Sequence, residues 1–356
     1  MNEEWRGGEK NLNKLLQNEI KRTWNCVGKV IQKGRYLVTG AGGNIGRYLV
    51  LMLLENPENQ VIALMHHANK DLDRLWDITE RRNLKIVVGD ICDSNLNIET
   101  EKIDYVFHLA GIVNNQMCIE YPEKVLETAM LGTKNILSFC VKNSIKKFCF
   151  FSTASVYGKL ENVTDGAKES DRGFIDFCDI SNSYAMGKQL GEMLCSLYEC
   201  KYHLSILCVR PYHVITPDIL ADSSSMLGDF FESVSNGRGI VLKTTGSQKR
   251  NLIYVFDALA VVLYMFFAKD IHVVNVGNPD GTLSVMEVAE IMSKIGQEKY
   301  HNDQKVCVRC EESIKASNGI DMVSNLEKMC GALDEYKFVS VEEAITRCIS
   351  MKNESK

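Results

Sequence analysis

The 356-residue chain has few of the features that mark a protein for membranes, nucleic acids or zinc. No apolar run reaches the roughly 18 residues a membrane span needs. The opening MNEEWRGGEK is charged and unlike a signal peptide, so a cytoplasmic protein is expected. With a formal net charge of −5 and no long basic run, the chain lacks the electrostatic footprint of a nucleic-acid binder. Five prolines and no Gly/Ser-rich linker leave no place for a tethered module, and the absence of an internal repeat excludes a solenoid. The single CxxC, Cys307 and Cys310, has neither a second pair nor an HxxxH partner, so no metal site is expected.

What is present points to an enzyme-sized globular protein. Hydrophobic residues make up 45% of the chain, ample for a core. The thirteen cysteines follow no secretory spacing and lie mostly in apolar runs (Cys149, Cys195, Cys208), as buried thiols in a reducing compartment would. Leu12, Leu15, Leu16, Ile20 and Trp24 recur at helical spacing, so residues 1–34 read as a helical extension docked on the body.

The stretch Arg35 to Gly46, RYLVTGAGGNIG, joins an apolar strand to a helical pattern through Gly40, Gly43 and Gly46. In a strand–turn–helix unit the first glycine allows the tight turn, the second lets backbone approach a pyrophosphate, and the third lets helix pack on strand. The phosphates then meet free N–H groups at the helix N-terminus, at Asn44, Ile45 and Gly46. Glycines at this spacing also mark ordinary turns; the flanking strand and helix favour a dinucleotide.

From there strands and helices alternate. Strands are expected at 61–65, 84–88, 105–109, 147–151, 204–209 and 272–276, with helices at 44–55, 70–82, 122–143, 182–200 and 257–268. This alternation predicts an α/β fold, a doubly wound parallel sheet (Rossmann type) with a smaller C-terminal substrate lobe. The expected division is 35–210 plus 251–277 for the NAD(P)-binding domain and 211–250 plus 278–350 for the substrate-binding lobe, with helices near 226–235, 284–295 and 341–350.

Two further stretches carry chemistry. In Ser183-Tyr184-Ala185-Met186-Gly187-Lys188, Tyr184 and Lys188 stand four apart on one helix face. A nearby ammonium favours phenolate and should bring the tyrosine down from its ordinary value near 10, making it a proton shuttle. It is the sole YxxxK among thirteen tyrosines. In Phe151-Ser152-Thr153-Ala154-Ser155, a strand ends in hydroxyls that can orient a substrate oxygen or merely close a turn.

Together TGAGGNIG (39–46), GDI (89–91), HLAG (108–111), STASVYG (152–158), YAMGK (184–188), RPYHV (210–214) and GSQKRNLIYVFD (246–257) resemble the nucleotide-sugar epimerase/dehydratase branch of the extended short-chain dehydrogenases, over roughly residues 35 to 350. The resemblance implies Tyr184 as acid/base, Lys188 as the ribose-holding residue and Thr153 as hydroxyl partner. It implies that Asp90 and Ile91 flank the adenine, that Leu109, Ala110 and Gly111 run along the cofactor, and that His213 and Arg250 meet a nucleotide-sugar substrate. His213 stands where the branch often has Asn, and Ala129 likewise. Dehydratases of the branch follow the Thr153 position with Asp-Glu, and its decarboxylases tend to have Glu at 155; here Ala154 and Ser155 stand there. The chemistry implied is 4-epimerisation, with an NADPH-dependent 4-keto-sugar reductase or hydroxysteroid-type dehydrogenase as the alternative and a catalytically silent cofactor binder as a minor one. The cofactor is NAD or NADP: the second strand's tip lacks an acid for the ribose, and His66 falls where NADP users of the branch often have Arg. Pairing of two copies through 122–143 and 182–200 is also implied.

Overall fold

The computed structural model describes residues 14–67, 82–96, 98, 102–113, 115–160, 165–222, 224–300, 308–310, 321–333 and 336–354. The helix expected at 70–82, apart from its last residue, lies outside them, as do Leu12 and Cys307.

Helix α1 (Lys14–Val27) precedes β1 (Arg35–Thr39), α2 (Gly46–Leu54), β2 (Gln60–Met65), β3 (Leu84–Val88) and β4 (Tyr105–His108). Then come α3 (Asn115–Glu120), α4 (Pro122–Glu127), a π-helical turn (Thr128–Gly132), α5 (Thr133–Lys142), β5 (Lys147–Phe151), α6 (Ser183–Tyr202) and β6 (Ile206–Pro211). The chain continues through β7 (His213–Ile215), α7 (Met226–Ser235), β8 (Ile240–Leu242), β9 (Lys249–Tyr254), α8 (Val255–Ala268) and β10 (Val273–Val276). It ends with β11 (Thr282–Ser284), α9 (Val285–Tyr300), β12 (Val308–Cys310), α10 (Glu327–Cys330) and α11 (Val341–Glu354).

Seven strands form one parallel sheet in the order β10-β6-β5-β4-β1-β2-β3. Alternation along its buried strands sorts side chains into two cores. Tyr36, Val38, Ala63 and Phe107 pack with α2 and α8 on one face. Leu37, Ile62, Leu64 and Val106 pack with Ile136 and Leu137 of α5 on the other. The chain winds outward from β1 in one direction and from β4 in the other, so the loops after β1 and β4 flank the crevice where open α/β sheets hold ligands. Two small sheets, β11-β9-β7 and β12-β8, complete the fold.

Helix α1 docks on the body, burying Leu16, Ile20, Thr23 and Val27. Arg22 pairs with the fully buried Asp257 at 2.7 Å, and the same carboxylate accepts from Tyr336 Oη and the Val339 amide at 2.7 Å each. Glu19 reaches Arg347 on α11 at 2.5 Å. Cys149, Cys195 and Cys208 are buried and free, in keeping with the sequence expectation. Among the described residues no helix is long and apolar enough to cross a membrane, and no metal-holding cluster of His, Cys, Asp and Glu occurs.

Candidate active site

The three glycines of the first turn are glycines for different reasons. Gly40 has φ of +66°, and a Cβ there would lie 2.8 Å from the Ala110 amide nitrogen. A Cβ on Gly46 would lie 2.2 Å from Gly40 O. A Cβ on Gly43 would meet only Gly40 O, at 3.1 Å, a tight approach to one backbone oxygen that is less severe than the contacts at Gly40 and Gly46. Helix α2 begins at Gly46 behind Ile45, which supplies no side-chain cap, and its first turn carries no acid. A helix start without a side-chain cap or an acid, the positive end of the helix dipole and a bare glycine backbone fit a pyrophosphate. Just beyond, Arg47 pairs with Asp218 at 3.2 Å and Tyr48 Oη donates to the same carboxylate at 2.9 Å, tying this helix to the chain after β7.

His66 directly follows β2, with its Nε2 3.5 Å from Asp90 Oδ2. The backbone hydrogen bond from Cys92 and then the His66 ring hold Asp90 below the ordinary carboxylate range. An acid therefore does stand at this tip, supplied by the loop after β3 rather than by β2. Ile91 is buried against Gly132, where a Cβ would collide with it at 2.4 Å, and Asn135 Nδ2 donates to Ile91 O at 2.9 Å. Leu109–Gly111 leave β4 through a buried network: Ala110 N donates to Thr39 Oγ1 at 3.2 Å, Thr39 Oγ1 meets His108 Nδ1 at 2.8 Å, and His108 Nε2 meets Thr133 Oγ1 at 3.1 Å. Burial, with a lesser push from Lys188, lowers His108 to about 3, so the ring is a neutral bridge. Thr133 does not stand out in the sequence, and Thr39 and His108 were visible only as the first residues of TGAGGNIG and HLAG.

Helix α6 meets the end of β5 at the crevice. Tyr184 stands near enough to Thr153 for the hydroxyl to favour its phenolate, and Lys188 Nζ donates to Phe151 O at 2.6 Å while standing 5.0 Å from the Phe150 ring. Thr153 Oγ1 also donates to Ser155 Oγ at 3.3 Å. Ala110, Gly111, Ile112, Val125, Ala129 and Thr133 line the cavity in front of Tyr184 and Lys188. The π turn gives Ala129 a close approach to α6, where a Cβ on Gly187 would lie 2.8 Å from that of Ala129.

Ionisation departs from the sequence expectation. Burial pushes the Tyr184 phenol up to about 12, with the Thr153 hydroxyl lowering it only in part. Lys188 is itself lowered to about 8 by burial. A spacing of four brings the residues to one face, but the low-dielectric surroundings oppose charge on both. Phenolate here needs a further positive charge in the crevice.

His213 and Arg250 lie on neighbouring strands, with His213 opposite Leu252 in the parallel β7–β9 pair, so both project from the same face of that sheet. His213 Nδ1 is buried with no hydrogen-bond partner among the described residues. Burial first and the Arg250 cation second lower His213 to about 4. Arg250 Nη1 donates to Lys249 O at 2.9 Å, and burial lowers its pKa against an opposing Asp321.

The NAD dependent epimerase/dehydratase family matches residues 36–277. UDP-N-acetyl-alpha-D-glucosaminuronate decarboxylase of Bacillus cytotoxicus is 30% identical over 277 residues, 77% of this chain and 83% of that protein. UDP-glucuronic acid decarboxylase 5 of Arabidopsis thaliana is 26% identical over 261 residues, 73% of this chain and 74% of that one. The fold superposes on UDP-glucose 4-epimerase of Thermotoga maritima, solved with UDP-glucose, with a TM-score of 0.76 at 22% identity, covering 90% of this chain and 99% of that one.

Proposed function

The chain belongs to the NAD dependent epimerase/dehydratase family, and from that premise we propose that it is a sugar-nucleotide epimerase of the 4-epimerase type. The observation that carries this reading is the hydroxyl-only strand tip. Thr153 and Ser155 bond each other beside Tyr184, with the buried Ala154 between them. Loss of water or carbon dioxide calls for a carboxylate acid or base, and the positions that carry it in the dehydratases and decarboxylases of the branch hold none here. Inversion needs a proton carrier and a redox partner, and no more.

When bound, the oxidised nicotinamide supplies a reversible hydride acceptor with a positive charge. Tyr184, assisted by that charge and by Thr153, takes the proton of the sugar hydroxyl and later returns it. Lys188 holds the ribose and adds its ammonium to the local field. His213 and Arg250 meet the nucleotide diphosphate. We read the cofactor as NAD: the Asp90 carboxylate beside His66 repels a 2′-phosphate and suits a 2′-hydroxyl. A second copy is expected to cover the apolar stripe of Leu126 and Met130 on α4 and the π turn and of Met193 and Leu197 on α6, which leave 40%, 41%, 71% and 51% of their surface exposed.

The test is product analysis by proton NMR after incubation with UDP-glucose, UDP-galactose, UDP-N-acetylglucosamine and UDP-glucuronic acid, without added reductant. Inversion at one ring carbon supports the proposal. Water loss, release of carbon dioxide as the relatives' names would have it, or stoichiometric consumption of NADPH overturns it.

A further inference from the structure

Three consecutive residues at the end of β5 are met by three residues of α6 spaced four apart. Phe151 O accepts from Lys188, the Ser152 hydroxyl donates to Glu192 Oε1 at 2.6 Å, and Thr153 stands beside Tyr184. Two of these helical residues belong to the site already described; Glu192 does not. Its carboxylate is 16% exposed and is filled from the other side by Arg210, which donates Nε to Oε1 at 2.8 Å and Nη2 to Oε2 at 2.6 Å. Arg210, on β6, is 4% exposed and held in turn by Glu169 O at 3.0 Å and by the Tyr157 ring at 4.8 Å. Tyr157 Oη donates to Asn275 Oδ1 at 2.6 Å, and the Asn275 amide donates to Glu169 Oε1 at 2.9 Å. The clasp therefore anchors one helix to two strand ends, next to the reacting groups but without facing the cavity.

We propose that Glu192 is the positioning residue of this site: by grasping Arg210 and the Ser152 hydroxyl it sets α6 against the β5 end, and with it Tyr184 against Thr153, while keeping a negative charge one turn from Lys188. The proposal rests on the epimerase reading only for what the positioned groups do. A bidentate Arg–carboxylate pair is stiff and directional, which suits it to fixing a helix in register. The reach matters because a displacement of about 1 Å at a reacting centre can cost on the order of 10²-fold in rate. The charge matters as well: Glu192 favours the protonated Lys188, against the burial that disfavours it.

Two variants separate these roles from plain stability. Ser152→Ala breaks only the link to the strand end and leaves the ion pair; Glu192→Gln keeps the reach and removes the charge. On whichever UDP-sugar the unaltered enzyme converts, both should lower kcat about tenfold or more with NAD affinity within about twofold of the original. Glu192→Gln should also bring the alkaline fall in rate to lower pH, which Ser152→Ala should not. Turnover within twofold of the original in both variants overturns the positioning role. Should no sugar be converted, the epimerase reading fails by itself, and a double-mutant cycle of Glu192→Gln with Lys188→Met, read by urea unfolding, decides the remainder. The coupling should be about tenfold in the unfolding constant at pH 7 and vanish by about pH 10, where Lys188 is neutral. A coupling that is absent, or unchanged across that range, overturns it. If Glu192→Gln fails to fold, Ser152→Ala carries the kinetic test.

Discussion

Lys188→Met should make the protein more stable and less able, and the size of the gain follows from the burial of one ammonium. Lys188 is 7% exposed, and burial brings it from an ordinary 10.5 down to about 8. At 1.36 kcal/mol for each pH unit of that difference, a charged Lys188 costs the fold on the order of 3 kcal/mol at pH 7 relative to a neutral one. Methionine fills similar volume without charge, but gives up the bond from Nζ to Phe151 O, worth about 1 to 2 kcal/mol. The net expectation is a gain of about 1 to 2 kcal/mol, read as a higher urea midpoint with unchanged slope. The sign with pH is fixed by linkage. Between about pH 8 and 10.5 the unfolded chain keeps the lysine proton and the folded one does not, so wild-type stability rises with pH through that window while the variant's contribution stays flat. The variant's advantage at pH 7 should therefore shrink and then reverse by pH 10. NAD binding should weaken and turnover fall together, because the ribose loses a donor and Tyr184 loses a nearby charge. A difference in unfolding free energy that stays constant from pH 7 to 10 would refute the argument that Lys188 is held charged at a cost.

Gly43→Val should abolish dinucleotide binding at a smaller cost in thermal midpoint than a side chain at Gly40 or Gly46, since its Cβ approaches only Gly40 O; unchanged NAD affinity by calorimetry in the folded variant would remove the pyrophosphate from this turn. Asp90→Asn should raise NADP affinity relative to NAD, by about tenfold if one like charge is relieved at half-exposed range, and a ratio that does not move would separate Asp90 from the ribose. Tyr184→Phe keeps the ring and removes the ionisable oxygen, so turnover should drop by roughly 10² to 10⁴ with fold and NAD affinity intact; near-normal turnover would sink Tyr184 as the proton carrier. His213→Asn should lessen acid sensitivity: with His213 lowered to about 4, wild type loses up to about 3 kcal/mol between pH 6.5 and 4 that the variant keeps, a gap measurable by acid-titrated unfolding and refuted by parallel curves.

The large sheet was legible because buried parallel strands read as apolar runs bounded by helical periodicity. The strand expected at 147–151 runs Lys147–Phe151, and the one expected at 84–88 runs Leu84–Val88. The small sheets were not legible. β7, β8 and β11 have three residues each, too few for a period of two to show, and they are strands only because distant chain supplies their partners. The same limit applies to the site. Glycine spacing and the Tyr184–Lys188 pair are local, so they were visible; the acid that Asp90 brings to the tip of β2, and the Thr39–His108–Thr133 chain that supports the Ala110 turn, are made by tertiary pairing alone.

Tyr184 shows where adjacency and energetics part. Spacing established that phenol and ammonium share a helix face, and a shared face invited the inference of a lowered pKa. Solvation is not a local property, and the surroundings that bury Tyr184 raise it to about 12 instead. Glu192 is the converse case. It extends the spacing of four from Tyr184 and Lys188 by one more turn, so its place on that face could have been found in the sequence; what it grasps could not, because Ser152 and Arg210 come from two different strands. With burial disfavouring charge on both Tyr184 and Lys188, the proton carrier is quiet until a cation enters the crevice. In this fold the proton chemistry of Tyr184 should accordingly depend on the oxidation state of the nicotinamide: an oxidised ring adds the missing positive charge and a reduced ring does not. The phenol should titrate lower with NAD bound than with NADH bound, which ultraviolet difference titration of the two complexes reads directly, and equal titration in both would leave the acid/base role of Tyr184 without its electrostatic cause.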